Sequence, residues 1–419
     1  MIGWRGSRGL KNRASHGLKR CWSRTRKKTE TKRKNGNKKE KENDIFIPHH
    51  LFVDHILPRL PLDSLIMCKF VCKQWNSSIS DPCFMDLYNK LHANEKRRRY
   101  ILIAAAYPKK KGISVGTVEE ERSGGKKIMN WLFSLPLIST LSWGISTSSH
   151  GLVCVFDSSG QAYVCNPAIG EHISLPKSSS NTTTSLPIIS LGFDPERRLY
   201  KVICLWAKES GIECEILTLG DDDHTSWRRI GHVPYILQSS PPAFIQSNLY
   251  WMCFQDSGRN KAIGLVALDV TTEEFRKLDC MNSDEHLMME GFRWLGVMSS
   301  GWELYTVEIT ECYGWIRICA LEMNMNMSYD GAASAKMITH PITLYSINGR
   351  DICKQPIRIL HFSEEAESFI HISMGGKLFC QNDAMGLASK VELPIGERIR
   401  YELCMYLRSP ISVKWRSTE

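Results

Sequence analysis

Gly112-Ile113-Ser114-Val115-Gly116 spells the Gly-x-Ser-x-Gly pattern of a serine nucleophile, whose hydroxyl stands on a strained turn between a buried strand and a helix. Three lysines precede the pattern and glutamates follow it, so these flanks predict a charged loop rather than that turn. Asp221, Asp222, Asp223 and His224 carry ligands suited to a cation, but they follow Gly220 in a predicted hairpin tip, where such clusters are ordinary solvated charge. The fifteen cysteines are odd in number and form no C-x-x-C pair; Cys68 and Cys72 lie one helical turn apart, where packing accounts for them better than zinc. There is no glycine-rich phosphate loop, no H-E-x-x-H and no zinc-ligand spacing. The expectation is a protein with no catalytic residue, no metal and no cofactor, its thiols reduced in the nucleus and/or the cytoplasm.

The elements around these residues point to docking. Val53, Ile56, Leu57 and Leu60 have the i, i+3, i+4, i+7 spacing of one helix face, widened by Leu51 and Phe52, and Pro58 and Pro61 predict a tight end to that helix. From Leu65 to Cys72 the only polar side chain is Lys69, so a second helix is predicted to be apolar nearly all round. Such a helix needs burial on more than one side. A segment of roughly forty residues supplies only a few kcal/mol of net core stability. Each large apolar side chain left in water forfeits about 1.5 to 3 kcal/mol, so a partner surface is the expected remedy. The bland alternative, that these are simply the first helices of a larger globule, has an equal claim on pattern alone. Asp63 is placed to cap the second helix, and Asp81 precedes Pro82 as an N-cap precedes a first helical residue.

In order and spacing the segment resembles an F-box: Ile47-Pro48, Leu51, Ile56-Leu57, Arg59-Leu60-Pro61, Ser64-Leu65, Val71-Cys72-Lys73, Trp75, then Asp81-Pro82 and Phe84. His49-His50 stand where members of that family commonly place an acidic residue. The resemblance covers about a tenth of the chain. It implies a three-helix domain over residues 44–92 that binds a Skp-type adaptor and through it a cullin-RING core, with no chemistry of its own. The implied adaptor-binding residues are Ile47, Pro48, Leu51, Ile56, Leu57, Leu60, Pro61, Ser64, Leu65, Val71, Cys72 and Trp75.

At 419 residues, with 42% hydrophobic and 23% charged side chains, two or three soluble domains are expected. The apolar run Ile101 to Tyr107 falls far short of the ~20 residues of a spanning helix, so no membrane partner is expected, and the basic N-terminus lacks the apolar core of a secretory signal. Residues 1 to 42 hold sixteen Lys or Arg against three Glu, a local charge of +13 within a formal total of +10, which leaves the remainder at −3. The predicted basic, disordered tail spans 1–43. Arg24, Arg26, Lys27, Lys28, Lys32, Arg33 and Lys34 are nuclear-import candidates, against an inert extension or an upstream start. Nucleic acid as the main partner does not fit, because the remainder is slightly acidic and shows no aromatic-basic RNA motif.

Beyond about residue 96 the texture turns to short apolar runs separated by Gly, Asp, Asn and Ser, which predicts strands. Ile101 to Tyr107, Gly151 to Asp157, Tyr200 to Trp206, Asn248 to Phe254, Glu303 to Ile309 and Ser368 to Ser373 recur roughly every fifty residues, with one longer step at the end, a spacing associated with propeller blades. Return strands echo between them at Ala162 to Asn166 and Leu265 to Asp269. The fold expected is α+β multidomain: small helices followed by an all-β, propeller-like domain of about six kelch-like blades over 96–410. Kelch-type double-glycine repeats are missing. Gly170 is expected to supply a turn, Asp194-Pro195 to begin one, and Trp227 and Trp251 to pack between blades.

The same segments carry a second resemblance. His150-Gly151-Leu152-Val153-Cys154, Cys165-Asn166-Pro167-Ala168-Ile169-Gly170-Glu171, Leu191-Gly192-Phe193-Asp194-Pro195, Tyr200-Lys201-Val202, Ser226-Trp227-Arg228 and Asn248-Leu249-Tyr250-Trp251 look like the F-box-associated region of the large plant F-box family, and the match thins after Cys312. Together the resemblances imply a non-catalytic substrate-recognition subunit of a Skp-cullin-F-box ubiquitin ligase, bridging the adaptor to an unknown target protein. The alternatives are an F-box scaffold or regulator without a degradation target, or a β domain that binds a small molecule or glycan. Target specificity is expected in the loops Gly112 to Lys127, Lys177 to Pro187 and Met323 to Lys336.

Overall fold

The computed structural model describes residues 48–91, 100–107, 112–120, 127–136, 142–178, 186–220, 226–237, 241–245, 247–254, 263–281, 292–300, 303–310, 315–324, 334–346, 357–363, 369–374, 377–381, 389–391, 393, 399–406 and 408–413. The basic tail with its import candidates, Ile47 and the Asp221–His224 cluster lie outside these residues. Helices come first: α1 (His49–Leu51), continued by a π-helical turn over Phe52–Ile56 and a 3-10 turn over Leu57–Arg59, then α2 (Leu62–Cys68), α3 (Lys73–Ser80) and α4 (Pro82–Leu91). Among the described residues every regular element after them is a strand. No helix among the described residues is long and apolar enough to cross a membrane.

The strands run as antiparallel meanders. In the first sheet β1 (Tyr100–Ala106), β2 (Ile113–Glu120) and β3 (Lys127–Leu135) follow one another, and the last strand, β25 (Arg400–Tyr406), pairs with β1 in the order β25-β1-β2-β3. The register runs from Tyr100 opposite Tyr406 to Ala106 opposite Arg400, so the two ends of the β chain are joined by a ladder. The second sheet is β4 (Trp143–Ile145), β5 (Val153–Asp157), β6 (Ala162–Asn166) and β7 (Glu171–Ser174); the third is β8 (Ile188–Asp194), β9 (Leu199–Lys208), β10 (Gly211–Leu219) and β11 (Arg228–Val233). A nine-stranded sheet then holds β12 (Ile236–Leu237), β13 (Ala243–Ile245), β14 (Asn248–Phe254), β15 (Ile263–Asp269) and β16 (Phe275–Met281) together with β17 (Phe292–Ser300), β18 (Glu303–Thr310), β19 (Trp315–Asn324) and β20 (Ser334–Ser346). A short parallel pairing of Asp279–Met281 with Ser334–Lys336 joins its two halves. β21 (Ile357–Ser363) to β24 (Ser389–Lys390) form the last four-stranded sheet.

Burial grades across the second sheet. All five residues of β5 and of β6 are buried, whereas β7 alternates half-buried and exposed. A strand covered on both faces reads as a continuous apolar run, which is why β5 and β6 are legible in the sequence. Trp251 is fully buried, and Trp227 is half-buried with its indole N–H donated to the Pro176 carbonyl at 2.7 Å.

The segment expected to be a charged loop is a strand. Ser114 lies in β2, buried, its Oγ 3.3 Å from Ser134 Oγ, and the strand runs on to Glu120 without opening a helix. Ile113 and Val115 enter one apolar cluster and Val118 another, and this two-sided burial overrides the flanking charge. The turn a nucleophilic serine requires is absent from this segment.

A buried ionic junction joins the third sheet to the nine-stranded one. Lys201 on β9 places Nζ 3.0 Å from Asp194 Oδ2 and 3.0 Å from Glu273 Oε1, and donates to the Val270 carbonyl at 2.7 Å. Arg228 also pairs with Glu273, and Asp194 Oδ1 accepts the amides of Glu196 and Arg197, making the turn expected at Asp194-Pro195. Gly192 is required here: a Cβ would stand 2.5 Å from a methyl of the buried Val270. Lys201→Met leaves Asp194 buried without its counter-charge, so urea unfolding is expected to show a loss of about 3–5 kcal/mol. Burial pushes the Glu273 carboxyl up, but hydrogen bonds and charge from Arg228 and Lys201 outweigh it and hold the group below its ordinary range. A carboxylate so depressed stabilises the fold above its unfolded pKa and loses that contribution as pH falls through the folded value. Tm measured downward from about pH 5 is therefore expected to fall less steeply in Glu273→Gln than in the parent chain.

Candidate docking face

Pro58 shapes the first helical segment. It has no N–H for the Asp54 carbonyl and its ring would strike that carbonyl, so the chain widens into the π-helical turn, closed by the Leu57 amide on the Phe52 carbonyl, and then tightens. The expected single stripe is accordingly divided: Leu57 and Pro58 are buried, Val53 and Leu60 half-buried, and Ile56 exposed. The run from Leu65 to Cys72 is likewise not one helix. After Cys68, the Phe70 amide donates to the Met67 carbonyl and the Val71 amide to the Cys68 carbonyl at 3.1 and 3.0 Å. These tight bonds end α2 and turn Phe70 and Val71 outward.

Capping differs from expectation at one end and matches at another. Pro61 occupies the N-cap of α2, and Asp63, one residue inside the helix, pairs instead with Arg408 at 2.7 Å. Asp81 caps α4 by accepting the Cys83 amide at 2.9 Å. Cys72, extended, caps α3 by accepting the Trp75 amide on Sγ at 3.4 Å. His49, at the position unusual for an F-box, lies 3.5 Å from Ser78 Oγ. α4 is a further helix beyond the expected three.

The helices have two faces. On the inner one Leu57, Leu65, Ile79, Phe84, Met85 and Tyr88 share a single apolar cluster with residues of the second and third sheets and with Ile411 and Val413. Phe52 and Trp75, stacked with centroids 4.6 Å apart, pack against it. Asp81 pairs with Arg198 in the β8–β9 turn, and Lys69 donates to the Pro410 carbonyl. On the outer face Phe70 is 81% exposed, Val71 63% and Met67 58%, with Leu51, Ile56, Pro61, Ser64 and Cys72 also exposed. Apolar exposure of this density on one small module marks an interaction surface.

The twelve residues expected to bind an adaptor thus divide. Leu51, Ile56, Pro61, Ser64, Val71 and Cys72 are open; Pro48, Leu60 and Trp75 are half-buried; Leu57 and Leu65 are buried frame; Ile47 lies outside the described residues. Met67 and Phe70 were not among them. Both lie in the apolar run Leu65 to Cys72 but at no position of the motif. Among the described residues no group of three or more His, Cys, Asp or Glu is arranged to hold a metal ion.

Residues 114–294 match the family model of the F-box associated beta propeller domain. An F-box protein of Arabidopsis thaliana is 29% identical over 177 residues, covering 42% of this chain and 44% of its own. An F-box/LRR-repeat protein of the same plant is 27% identical over 265 residues, at 58% and 57%, and a further F-box protein is 24% identical over 275 residues, at 58% and 63%. The chain therefore spans about half the length of the curated relatives it matches.

The two faces differ in what truncation does. Leu65→Ala is expected to cost about 2–5 kcal/mol in urea unfolding, the range for an aliphatic side chain removed from a closed core. Phe70→Ala, removing a larger side chain from water, is expected to stay within about 0.5 kcal/mol of the parent.

Proposed function

We propose, from the premise that the chain belongs with the plant F-box proteins that carry an F-box-associated domain, that it is a substrate-recognition subunit of a Skp-cullin-F-box ubiquitin ligase. The outer face of the helices takes the Skp-type adaptor, and the β domain takes a target protein. The observation that carries this reading is the open apolar surface of Met67, Phe70 and Val71, held on helices whose other side is already covered by the chain itself. No chemistry is asked of the chain. Its contribution is positional: binding two partners at once raises the effective concentration of target lysines near the charged conjugating enzyme.

The proposal extends to architecture and place. The halves of the nine-stranded sheet, β12 to β16 and β17 to β20, read as two meanders joined at their outer strands, which brings the meanders to six kelch-like blades. The domains are then a basic tail over 1–43, an F-box over 44–92 and the β domain over 96–410, acting in the nucleus and/or the cytoplasm.

Met67→Asp, Phe70→Asp and Val71→Asp combined place charge on the outer face while leaving the buried cluster untouched. Co-purification of a Skp-type adaptor with the full chain is expected to fall at least tenfold with Tm unchanged; undiminished capture would contradict the reading.

A further inference from the structure

After β25 the chain continues through the irregular segment Arg408–Val413, which bonds to both the β domain and the helices. On the β side Asn166, fully buried at the end of β6, holds this segment through Nδ2, which donates to the carbonyls of Ser409 at 3.0 Å and Ile411 at 2.6 Å, while Oδ1 accepts the Tyr406 hydroxyl of β25 at 3.1 Å and the Ala168 amide of its own hairpin at 2.9 Å. Five residues on, Glu171 Oε2 accepts the Ser412 hydroxyl at 2.7 Å and the Val413 amide at 3.2 Å. On the helical side Arg408 pairs with Asp63, and Lys69 donates to the Pro410 carbonyl. Ile411 and Val413 are buried in the same apolar cluster as Leu57, Leu65 and Ile79.

We propose that Arg408–Val413 is a strap that latches the helical module onto the β domain, and that Asn166 and Glu171 are its anchors. The run Cys165-Asn166-Pro167-Ala168-Ile169-Gly170-Glu171 then has a use beyond its turn. Gly170, at φ +68, lets the hairpin close so that Asn166 and Glu171 stand opposite each other in the β6–β7 ladder, both reaching the same passing segment. The anchors hold backbone carbonyls, one backbone amide and one serine hydroxyl, so they fix the strap's path whatever its apolar side chains are. The polar contacts to the helices include an exposed ion pair, which contributes little. The apolar side chains of Ile411 and Val413 therefore carry the grip. If the chain is a ligase receptor, the strap makes the angle between adaptor and target a property of the fold rather than of residues 92–99; this consequence rests on the reading above, and the strap itself does not.

Amide hydrogen exchange of the purified full chain, without adaptor, tests it. In Ile411→Ala/Val413→Ala, which keeps every anchor bond, exchange over Trp75–Ser80 is expected to rise at least tenfold while Val202–Trp206 and Cys214–Leu217 keep their protection. A chain ending at Tyr406 is expected to show the same pattern to at least the same extent. Unchanged exchange over Trp75–Ser80 in both variants overturns the proposal. So does equal loss of protection in the helices and in β5 and β6 in the double variant, since the segment would then be core of the second sheet and not a latch.

Discussion

One apolar cluster holds the molecule together across its two kinds of secondary structure. The helices contribute Leu57, Leu65, Ile79, Phe84, Met85 and Tyr88, and the sheets meet them with residues such as Phe193 and Tyr200. A helical module this small cannot close a core by itself. Much of the apolar surface it cannot bury internally is covered by the β domain, while Met67, Phe70 and Val71 stay the most open among the described residues, with Leu51, Ile56 and Leu91 less so. The demand for a partner that the sequence raises is therefore answered first by the same chain, and what stays open is the surface assigned to the proposed adaptor.

The same principle of two-sided covering runs through the β domain. In the second sheet the strands β5 and β6 are buried along their whole length and the edge strand β7 only in part, and the β25–β1 ladder ties the last strand to the first. Where charge enters the interior it comes as a set: Lys201 meets Asp194, Glu273 and a carbonyl together, which offsets the desolvation a lone ammonium would suffer.

What was legible in the sequence follows from range. Asn248–Phe254 and Ala162–Asn166 are strands at the positions their apolar runs indicate, because continuous burial leaves a local mark. Asp81 caps as its place before a proline suggests. The misreadings arise where a distant contact decides. Asp63 looks like a cap until Arg408, 345 residues away, takes its carboxylate. The stretch after Gly112 looks like a charged loop because its flanking lysines and glutamates are visible, whereas the strand it pairs with and the clusters it enters are not. Asn166 and Glu171 sit in a recognisable motif, yet their partners lie about 240 residues on, and no local pattern connects them. The candidate docking residues were found as a motif, but which of them face outward depended on the turn after Cys68 and on the β domain behind.

The most direct test of the account is an exchange footprint of the full chain with and without a purified Skp-type adaptor. The account predicts new protection confined to Leu51–Cys72, with Phe84–Tyr88 and the strands unchanged, since the inner face is already covered. An adaptor that leaves the helices unprotected, or whose protection falls on the β strands instead, would contradict it.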